Sequence, residues 1–517
     1  MPRALAWLTA ATAALALGSC APIEDCALQP ASCVADSDTA GETETETDSD
    51  ADDGPTAVAL VAAGQAATCV GLDDGGVRCW GDDEHGQLGR GDAWNFGACV
   101  ADHSFDCGAD PVCCIGDDES PAALSNIDLG DRVVALELAM SGNHACAILE
   151  GGRLRCWGAN SHGQLGLGIT EHLHCSTSDF LYPECRIGDD EPPSATSIVD
   201  VGGPVAQLAL GELHTCALLE GGTVRCWGWG GVLGLGPSWG SCDLLDSCNG
   251  GICCVGDDEV PSMVEPVALG PDPIIQIDAG SYITCALSSK GALWCWGSAG
   301  LFGGTPLGYG HTEIIGDDET PAQVGPIPIG EPVRTVAVGE RHICALLTGG
   351  GVRCWGKDYG GSLGYGDSGD LGGTPRTLPE LLPDLPLDPT RPIDSLHAGG
   401  VHTCARFDDG GVACWGINET GQLGIGSTES VGDHVHDLAQ LVDVDVGGSI
   451  AQLSVGYSHS CALLTSGALR CWGYNRDGAL GYGGTEPEAC KAGCEAGALC
   501  CVGDDEPPSA LEPVQVL

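Results

Sequence analysis

Positive charge is what this chain has least of. Lys and Arg number 19 against 73 Asp and Glu, a net charge of −54, and only Lys290, Lys357 and Lys491 are lysines. Such a surface repels phosphate backbones and anionic headgroups, which argues against direct nucleic-acid binding. It suits divalent cations, polycationic partners or plain solubility. Catalytic signatures are missing as well. No hydrolase elbow Gly-x-Ser-x-Gly sits among partner residues, no complete Gly-x-x-x-x-Gly-Lys-(Ser/Thr) phosphate loop occurs, and there is no His-Glu-x-x-His. Zinc spacing is also lacking at the recurrent cysteines. Metal-binding pairs leave two to four residues between ligands, and here the gap is nine.

What the chain has is a repeat. A cysteine, nine residues, a second cysteine and Trp-Gly recur seven times, at Cys69/Cys79, Cys146/Cys156, Cys216/Cys226, Cys285/Cys295, Cys344/Cys354, Cys404/Cys414 and Cys461/Cys471, with the Trp series running from Trp80 to Trp472. A fixed period means units that cannot bury their apolar faces alone and must stack on their neighbours. The 517 residues therefore read as one large repeat domain over 57–517, preceded by an export region and a linker.

The export region is residues 1–19. One basic residue, Arg3, precedes an apolar run over 4–17 and then Gly18-Ser19-Cys20. The run is too short for a good membrane span and has the layout of a signal peptide. Leu17-Gly18-Ser19-Cys20 resembles the lipobox of bacterial lipoproteins. The resemblance implies a cleaved signal, a lipidated Cys20 and an anchor in the bacterial cell envelope, periplasmic or surface-exposed. A plain secretory signal or an uncleaved anchor is the alternative. Of 31 cysteines, assigning Cys20 to lipid leaves an even number. Fourteen are in the repeat, and the rest fall in even groups: Cys26/Cys33, Cys99/Cys107/Cys113/Cys114, Cys175/Cys185, Cys242/Cys248/Cys253/Cys254 and Cys490/Cys494/Cys500/Cys501. In an exported chain that reads as a disulfide framework. Residues 20–56, with Glu42-Thr43-Glu44-Thr45-Glu46, are acidic and low in apolar side chains. They read as a disordered tether reaching on the order of 30–35 Å.

Each repeat has the same internal order. A short apolar, β-branched run such as residues 205–210 ends at a Gly, then come His214-Thr215-Cys216-Ala217-Leu218-Leu219, the turn Glu220-Gly221-Gly222, and Thr223-Val224-Arg225-Cys226-Trp227-Gly228. Two runs joined by a Gly-containing turn predict a hairpin with its cysteines opposite each other. Alternation places the bridge on one face and Trp on the other, where it can meet the disulfide of a stacked neighbour. A Gly-Gln-Leu-Gly-x-Gly stretch (163–168, 421–426) and an Ile/Val-Gly-Asp-Asp-Glu element before a predicted Pro-containing strand complete the unit. Four antiparallel strands in each of seven units predict an all-β, disulfide-rich, seven-bladed β-propeller. The order Gly-x-x-His-(Thr/Ser)-Cys-Ala-Leu, Gly-Gly, Val-x-Cys-Trp-Gly, Gly-Gln-Leu-Gly-x-Gly is similar to the repeat of the regulator of chromosome condensation family. That resemblance covers about 57–517 and also implies a seven-bladed propeller. The paired cysteines and the Cys-bearing inserts in units one, two, three and seven depart from the family pattern. Residues 512–517 read as a last strand that completes the first or last blade and closes the ring.

Three features could carry chemistry. Gly-Asp-Asp-Glu recurs at 116–119, 188–191, 256–259, 316–319 and 503–506. Its carboxylates could coordinate Ca²⁺, but three consecutive residues are not expected to converge on one ion, so a capped turn is favoured. His144, His214, His342, His402 and His459 precede the first cysteine, with Ala67 and Ile283 in their place in two units; structural hydrogen bonding is favoured over metal binding. The inserts holding Cys99, Cys107, Cys113, Cys114, Cys242, Cys248, Cys253, Cys254, Cys490, Cys494, Cys500 and Cys501 leave one equivalent position in the repeat, so they are candidate binding-rim loops. The expectation is a monomeric, non-enzymatic lipoprotein that binds another protein, with no catalytic residue, no metal and no cofactor assigned. The family includes a guanine nucleotide exchange factor and β-lactamase inhibitors, and exchange activity is not expected here. A glycan-active enzyme or a calcium-dependent adhesin are the alternatives.

Overall fold

The computed structural model describes residues 57–91, 114–115, 120–168, 186–189, 191–237, 254–297, 304–366, 369–433, 438–475, 477–483 and 501–517. The expected signal peptide and tether, with Cys20, Cys26 and Cys33, lie outside these residues. Seven antiparallel sheets follow one another along the chain. Blade three is representative: Val205–Leu210, His214–Leu219, Val224–Trp229 and Cys254–Val255, running outward in that order. The fourth strand is shorter than the sequence suggests. Blades one, two, three and seven have two-residue fourth strands. In blades four to six it shrinks to single bridges, Gly297↔Ile315, Gly356↔Leu371 and Gly416↔Val431. The Pro-containing strand expected after the acidic turn is instead one short helical turn, as at Pro193–Ala195 and Pro261–Met263. Proline lacks an N–H to give to a ladder, and its fixed φ suits the first helical position.

The hairpins hold the predicted register. In the ladders Cys69 faces Cys79, Cys146 faces Cys156, Cys216 faces Cys226 and Cys285 faces Cys295. Cys344 with Cys354, Cys404 with Cys414 and Cys461 with Cys471 complete the set. Each of the seven pairs is bridged, with Cα atoms 4.0–4.1 Å apart, as expected for close-facing, non-hydrogen-bonded partners. Every first strand carries a bulge near its start, such as that at Ala206, between Val205 paired with Leu219 and Gln207 paired with Leu218, which increases local twist.

Blades stack face to face as the alternation requires. Thr284, beside Trp296 in the ladder, has its hydroxyl 3.7 Å from Cys216 Sγ of the preceding blade, and Thr403 and Cys344 repeat the contact at 3.8 Å. The tryptophans reach further than the pattern implied. Trp157 Nε1 donates to the Gln87 carbonyl, Trp227 to Gln164 and Trp472 to Gln422, at 2.9–3.0 Å. The Gly-Gln-Leu-Gly loop of one blade is thus the hydrogen-bonding floor for the Trp of the next. Each of these indoles is fully buried. Removing about 150–250 Å² from water is worth on the order of 4–6 kcal/mol per ring. Trp296 is the exception: its Nε1 is buried without a partner among the described residues, over the looser Gly230–Val232 turn.

Ring closure uses the same contacts as every internal junction. Between blades two and three, Val199 N donates to Leu154 O and Ser262 N to Asp200 O. Between blades seven and one, Val514 N donates to Leu469 O and Ala122 N to Gln515 O, both at 2.9 Å. Residues 512–517 therefore join both blades without adding a strand. At the axis, side-chain amides finish the inner strand edges. Gln207 exchanges hydrogen bonds with both backbone groups of Ile277, Gln276 with those of Val336, and Gln452 with those of Val61. These edges would otherwise present unpaired donors and acceptors.

Candidate functional site

In a four-stranded antiparallel blade the first and third connections lie at the same end. The loops around the axial mouth and the long connections before the fourth strand therefore share one face. In blades one, two, three and seven that connection ends at Cys114, Arg186, Cys254 and Cys501, each opening a fourth strand. These four blades are consecutive around the closed ring. The insert junctions thus occupy one continuous arc on one face, and blades four to six lack both the inserts and the two-residue fourth strand. A cavity of about 230 Å³ opens inside the arc, lined by Gln65, His85, Ser141, Arg186 and Glu212 among others.

The axial mouth carries a polar network that the repeat pattern did not disclose. Tyr282 Oη donates to Glu212 at 2.8 Å, Tyr457 Oη donates to Glu340 at 3.0 Å, and Arg341 Nε reaches the same Glu340 at 3.2 Å. Tyr457 belongs to blade seven and Glu340 to blade five, so the tyrosine crosses over blade six. Gly400 makes this passage: a Cβ there would lie 2.8 Å from the Tyr457 ring. Burial raises the Glu212 carboxyl above the ordinary carboxylate range, and Glu340 adds to the shift. A signal for these residues existed, since they stand next to the Gly that ends each first strand, but nothing in one repeat tells which neighbouring blade they reach.

Of the acidic turns, 116–119 lie outside the described residues. The turns pack onto the preceding blade: Gly168 N donates to Gly256 O at 3.1 Å, and a Cβ on Gly163 would lie 2.8 Å from Asp257 N and Val255 O. Gly163 has φ +76, so both conformation and space demand glycine. The expectation that the three carboxylates diverge is corrected by the structure. In Asp257-Asp258-Glu259, Asp317-Asp318-Glu319 and Asp504-Asp505-Glu506, one carboxylate oxygen from each residue lies within 4.8 Å of the others. The turn curls tightly against its neighbour and folds the side chains together. Burial, then the adjacent Asp, pushes Glu259 up to about 8 and Glu319 and Glu506 to about 7.

The histidines form structural links. His144 Nε2 lies 2.9 Å from Thr215 Oγ1 of the next blade, His214 2.7 Å from Thr284, His342 2.8 Å from Thr403, His402 3.0 Å from Ser460 and His459 3.0 Å from Thr68. Thr215 and Thr68 hydroxyls donate onward to the Gln164 and Ala479 carbonyls, so they accept from the imidazoles, which carry their proton on Nε2. The two units without histidine are matched. Ala67 is followed in the next blade by Ala145 at the hydroxyl position, and Ile283 by Ile343. Polar pairs are kept whole or removed whole, because half a pair leaves a buried group unsatisfied.

Burial lowers these imidazoles from 6.5 to about 3 for His144 and His402 and about 4 for His214, His342 and His459. With folded values depressed, their stabilisation is complete above the unfolded value and is lost as the unfolded chain takes up protons the fold refuses. The loss runs from pH 6.5 down to the folded values of about 3–4. His214→Gln is expected to melt lower at neutral pH but to decline less steeply through that window, checked by melting curves across pH; parallel curves would contradict the assignment.

The cysteines divide into two groups. The hairpin bridges Cys69–Cys79, Cys146–Cys156, Cys216–Cys226, Cys285–Cys295, Cys344–Cys354, Cys404–Cys414 and Cys461–Cys471 are buried in the core. They staple the blades and are not part of a surface that a partner could touch. Among the candidate rim cysteines, Cys254 and Cys501 are disulfide-bonded and Cys114 lies in a strand. Cys99, Cys107, Cys113, Cys242, Cys248, Cys253, Cys490, Cys494 and Cys500 lie outside the described residues, as do Cys175 and Cys185.

Known proteins share this plan. A family profile described as the regulator of chromosome condensation (RCC1) repeat matches residues 58–87, 137–164, 205–232, 274–303, 333–361 and 450–479, and a second with the same description matches 151–218 and 409–463. The ultraviolet-B receptor UVR8 of Arabidopsis thaliana is 28% identical over 437 residues, covering 83% of this chain and 80% of the receptor. The probable E3 ubiquitin-protein ligase HERC4 of Rattus norvegicus is 29% identical over 64% of this chain, which spans only 31% of that protein. Yeast RCC1 (Prp20), solved bound to Kap60, superposes with a TM-score of 0.55 at 18% identity, over 89% of this chain and 85% of that one. Human WBSCR16 gives 0.54 at 18% identity, over 78% and 86%. At such identity the two solved structures speak for the fold alone.

Proposed function

As the chain belongs to the regulator of chromosome condensation repeat family, we propose that its propeller is a non-catalytic module that binds another protein through its insert-bearing face. We place it in a bacterial envelope, anchored through Cys20. One observation carries this reading: the four insert junctions form a continuous arc on one face, around a 230 Å³ cavity, and the rest of the ring has none. Loops closed by disulfides are pre-organised, which lowers the entropy lost on binding. The absence of basic surface and of a catalytic motif in the sequence argues against nucleic acid and against an assigned chemistry.

The test uses the disulfide-intact protein as bait for envelope and secreted extracts, with bound species crosslinked and read by mass spectrometry. A saturable protein partner is expected, lost when inserts 99–114 and 242–254 are replaced by short linkers. Retention after both replacements would move the binding face elsewhere. Turnover of envelope glycans by the same preparation would favour an enzyme instead.

A further inference from the structure

We propose that the cavity inside the insert arc is a binding site for a neutral monosaccharide. It encloses about 230 Å³, below the roughly 300–1,000 Å³ of sites for drug-sized ligands, which leaves room for one small ring. A departure in blade two opens it. In blade one, Gln87 Nε2 donates to Asp82 Oδ2 at 3.0 Å. Ala159 stands at the equivalent place in blade two, since Asp82 faces Cys114 and Ala159 faces Arg186 where each fourth strand begins. The methyl group leaves space where the carboxylate stood, and it removes the acceptor from Gln164, the counterpart of Gln87.

The groups that line the cavity are polar, buried and fixed from behind. Gln164 is 1% exposed, and its Oε1 accepts from His162 N at 2.8 Å; its Nε2 has no acceptor among the described residues. Ser141 is 8% exposed, and its hydroxyl is buried without a partner. Arg186 is anchored through Nη1 to the Glu84 carbonyl at 2.7 Å, and Glu212 accepts from Tyr282 at 2.8 Å. Gly142 lets the Glu212 side close in, because a Cβ there would lie 2.6 Å from the Glu212 carbonyl oxygen. All five residues line the one cavity. Buried polar groups left without partners are costly, so the site favours a ligand that completes them. Charge does not select an ion. Arg186 and Glu212 are opposite in sign, and burial, with the Arg186 charge adding to it, lowers His85 to about 4 and leaves it neutral at pH 7. Glu212 offers acceptors, Gln164 a donor and Ser141 both. A hydroxyl answers each of these from one atom, and a sugar ring carries several on a compact body. A neutral ligand also escapes the repulsion of a chain with net charge −54.

This site goes beyond the protein-binding reading and does not depend on it. The experiment is saturation-transfer NMR followed by calorimetric titration of the disulfide-intact protein. The probes are the methyl glycosides of glucose, galactose, mannose and N-acetylglucosamine, with acetate as an anion and glycine as a zwitterion. Saturable binding of at least one glycoside is expected, at one site per chain. Ser141→Ala should weaken it roughly three- to tenfold, with an unchanged melt because the hydroxyl has no protein partner to lose. Ala159→Asp reproduces the arrangement of blade one and refills the cavity. It should abolish binding, while a cooperative melt shows that the fold is kept. No glycoside bound, tighter binding of acetate or glycine than of any glycoside, or unchanged affinity in Ala159→Asp would each overturn the proposal. Glycoside binding lost in Ala159→Asp with protein capture retained would support it and separate the sugar site from the protein-binding surface.

Discussion

Reduced at all seven hairpins, the propeller is expected to melt tens of degrees below the oxidised protein. Each bridge closes a separate loop with a sequence separation of 10. Loop-closure entropy alone assigns about 2.5–3 kcal/mol to such a loop. Because the loops are independent of one another, little of this overlaps. Even half the total would rival the whole stability of an ordinary domain, about 5–15 kcal/mol. The sulfurs are buried in the blade interfaces, with the bridged cysteines at most 3% exposed. Reductant alone should therefore act slowly on the native ring. The measurement is reduction in urea, a thiol count, refolding under reductant and calorimetry. A melt unchanged after verified reduction would remove the disulfides from any account of stability.

Deleting residues 512–517 should be the most damaging small truncation of the ring. The segment buries Val514 and Val516 to 6% and 4% exposure. It also supplies the Gln515 carbonyl to Ala122 N and to Ser120 Oγ at 2.9 and 3.0 Å, and the Val516 carbonyl to Arg78. Two buried valines and these hydrogen bonds amount to on the order of 5–9 kcal/mol. At the other junctions the same contacts are backed by chain continuity, whereas here only non-covalent contacts, His459 with Thr68 among them, join blade seven to blade one. Urea unfolding of the truncated chain should show a lower midpoint, with hydrogen exchange rising first in 58–63 and 450–455. A truncated chain that keeps its midpoint and protection would place ring closure elsewhere. Val514→Ala/Val516→Ala should give a smaller shift in the same direction.

Much of the fold was legible because its causes are local. The nine-residue gap between cysteines and the Gly-containing turn dictate a hairpin register, and Cys216 faces Cys226 as that register requires. The Cys-Trp dipeptide dictates opposite faces, since adjacent strand residues point apart, and repetition of the unit dictates stacking. The acidic turn was misread for an equally physical reason. Isolated, three consecutive carboxylates diverge, but pressed against Gly163 of the preceding blade they are curled within 4.8 Å of one another.

What the sequence determined by itself, then, is everything set by neighbours along the chain: the hairpins, the bridges, the seven-fold repetition and the equivalence of the insert positions. What only the tertiary structure decided is which repeats meet. His214 finds Thr284, and Tyr457 passes over Gly400 to Glu340. Those partners are 70 residues or more apart in the chain. Closing the ring brings them together, and it also sets the insert junctions at Cys114, Arg186, Cys254 and Cys501 along a single arc. No local preference encodes such meetings, because they depend on how many blades complete the circle.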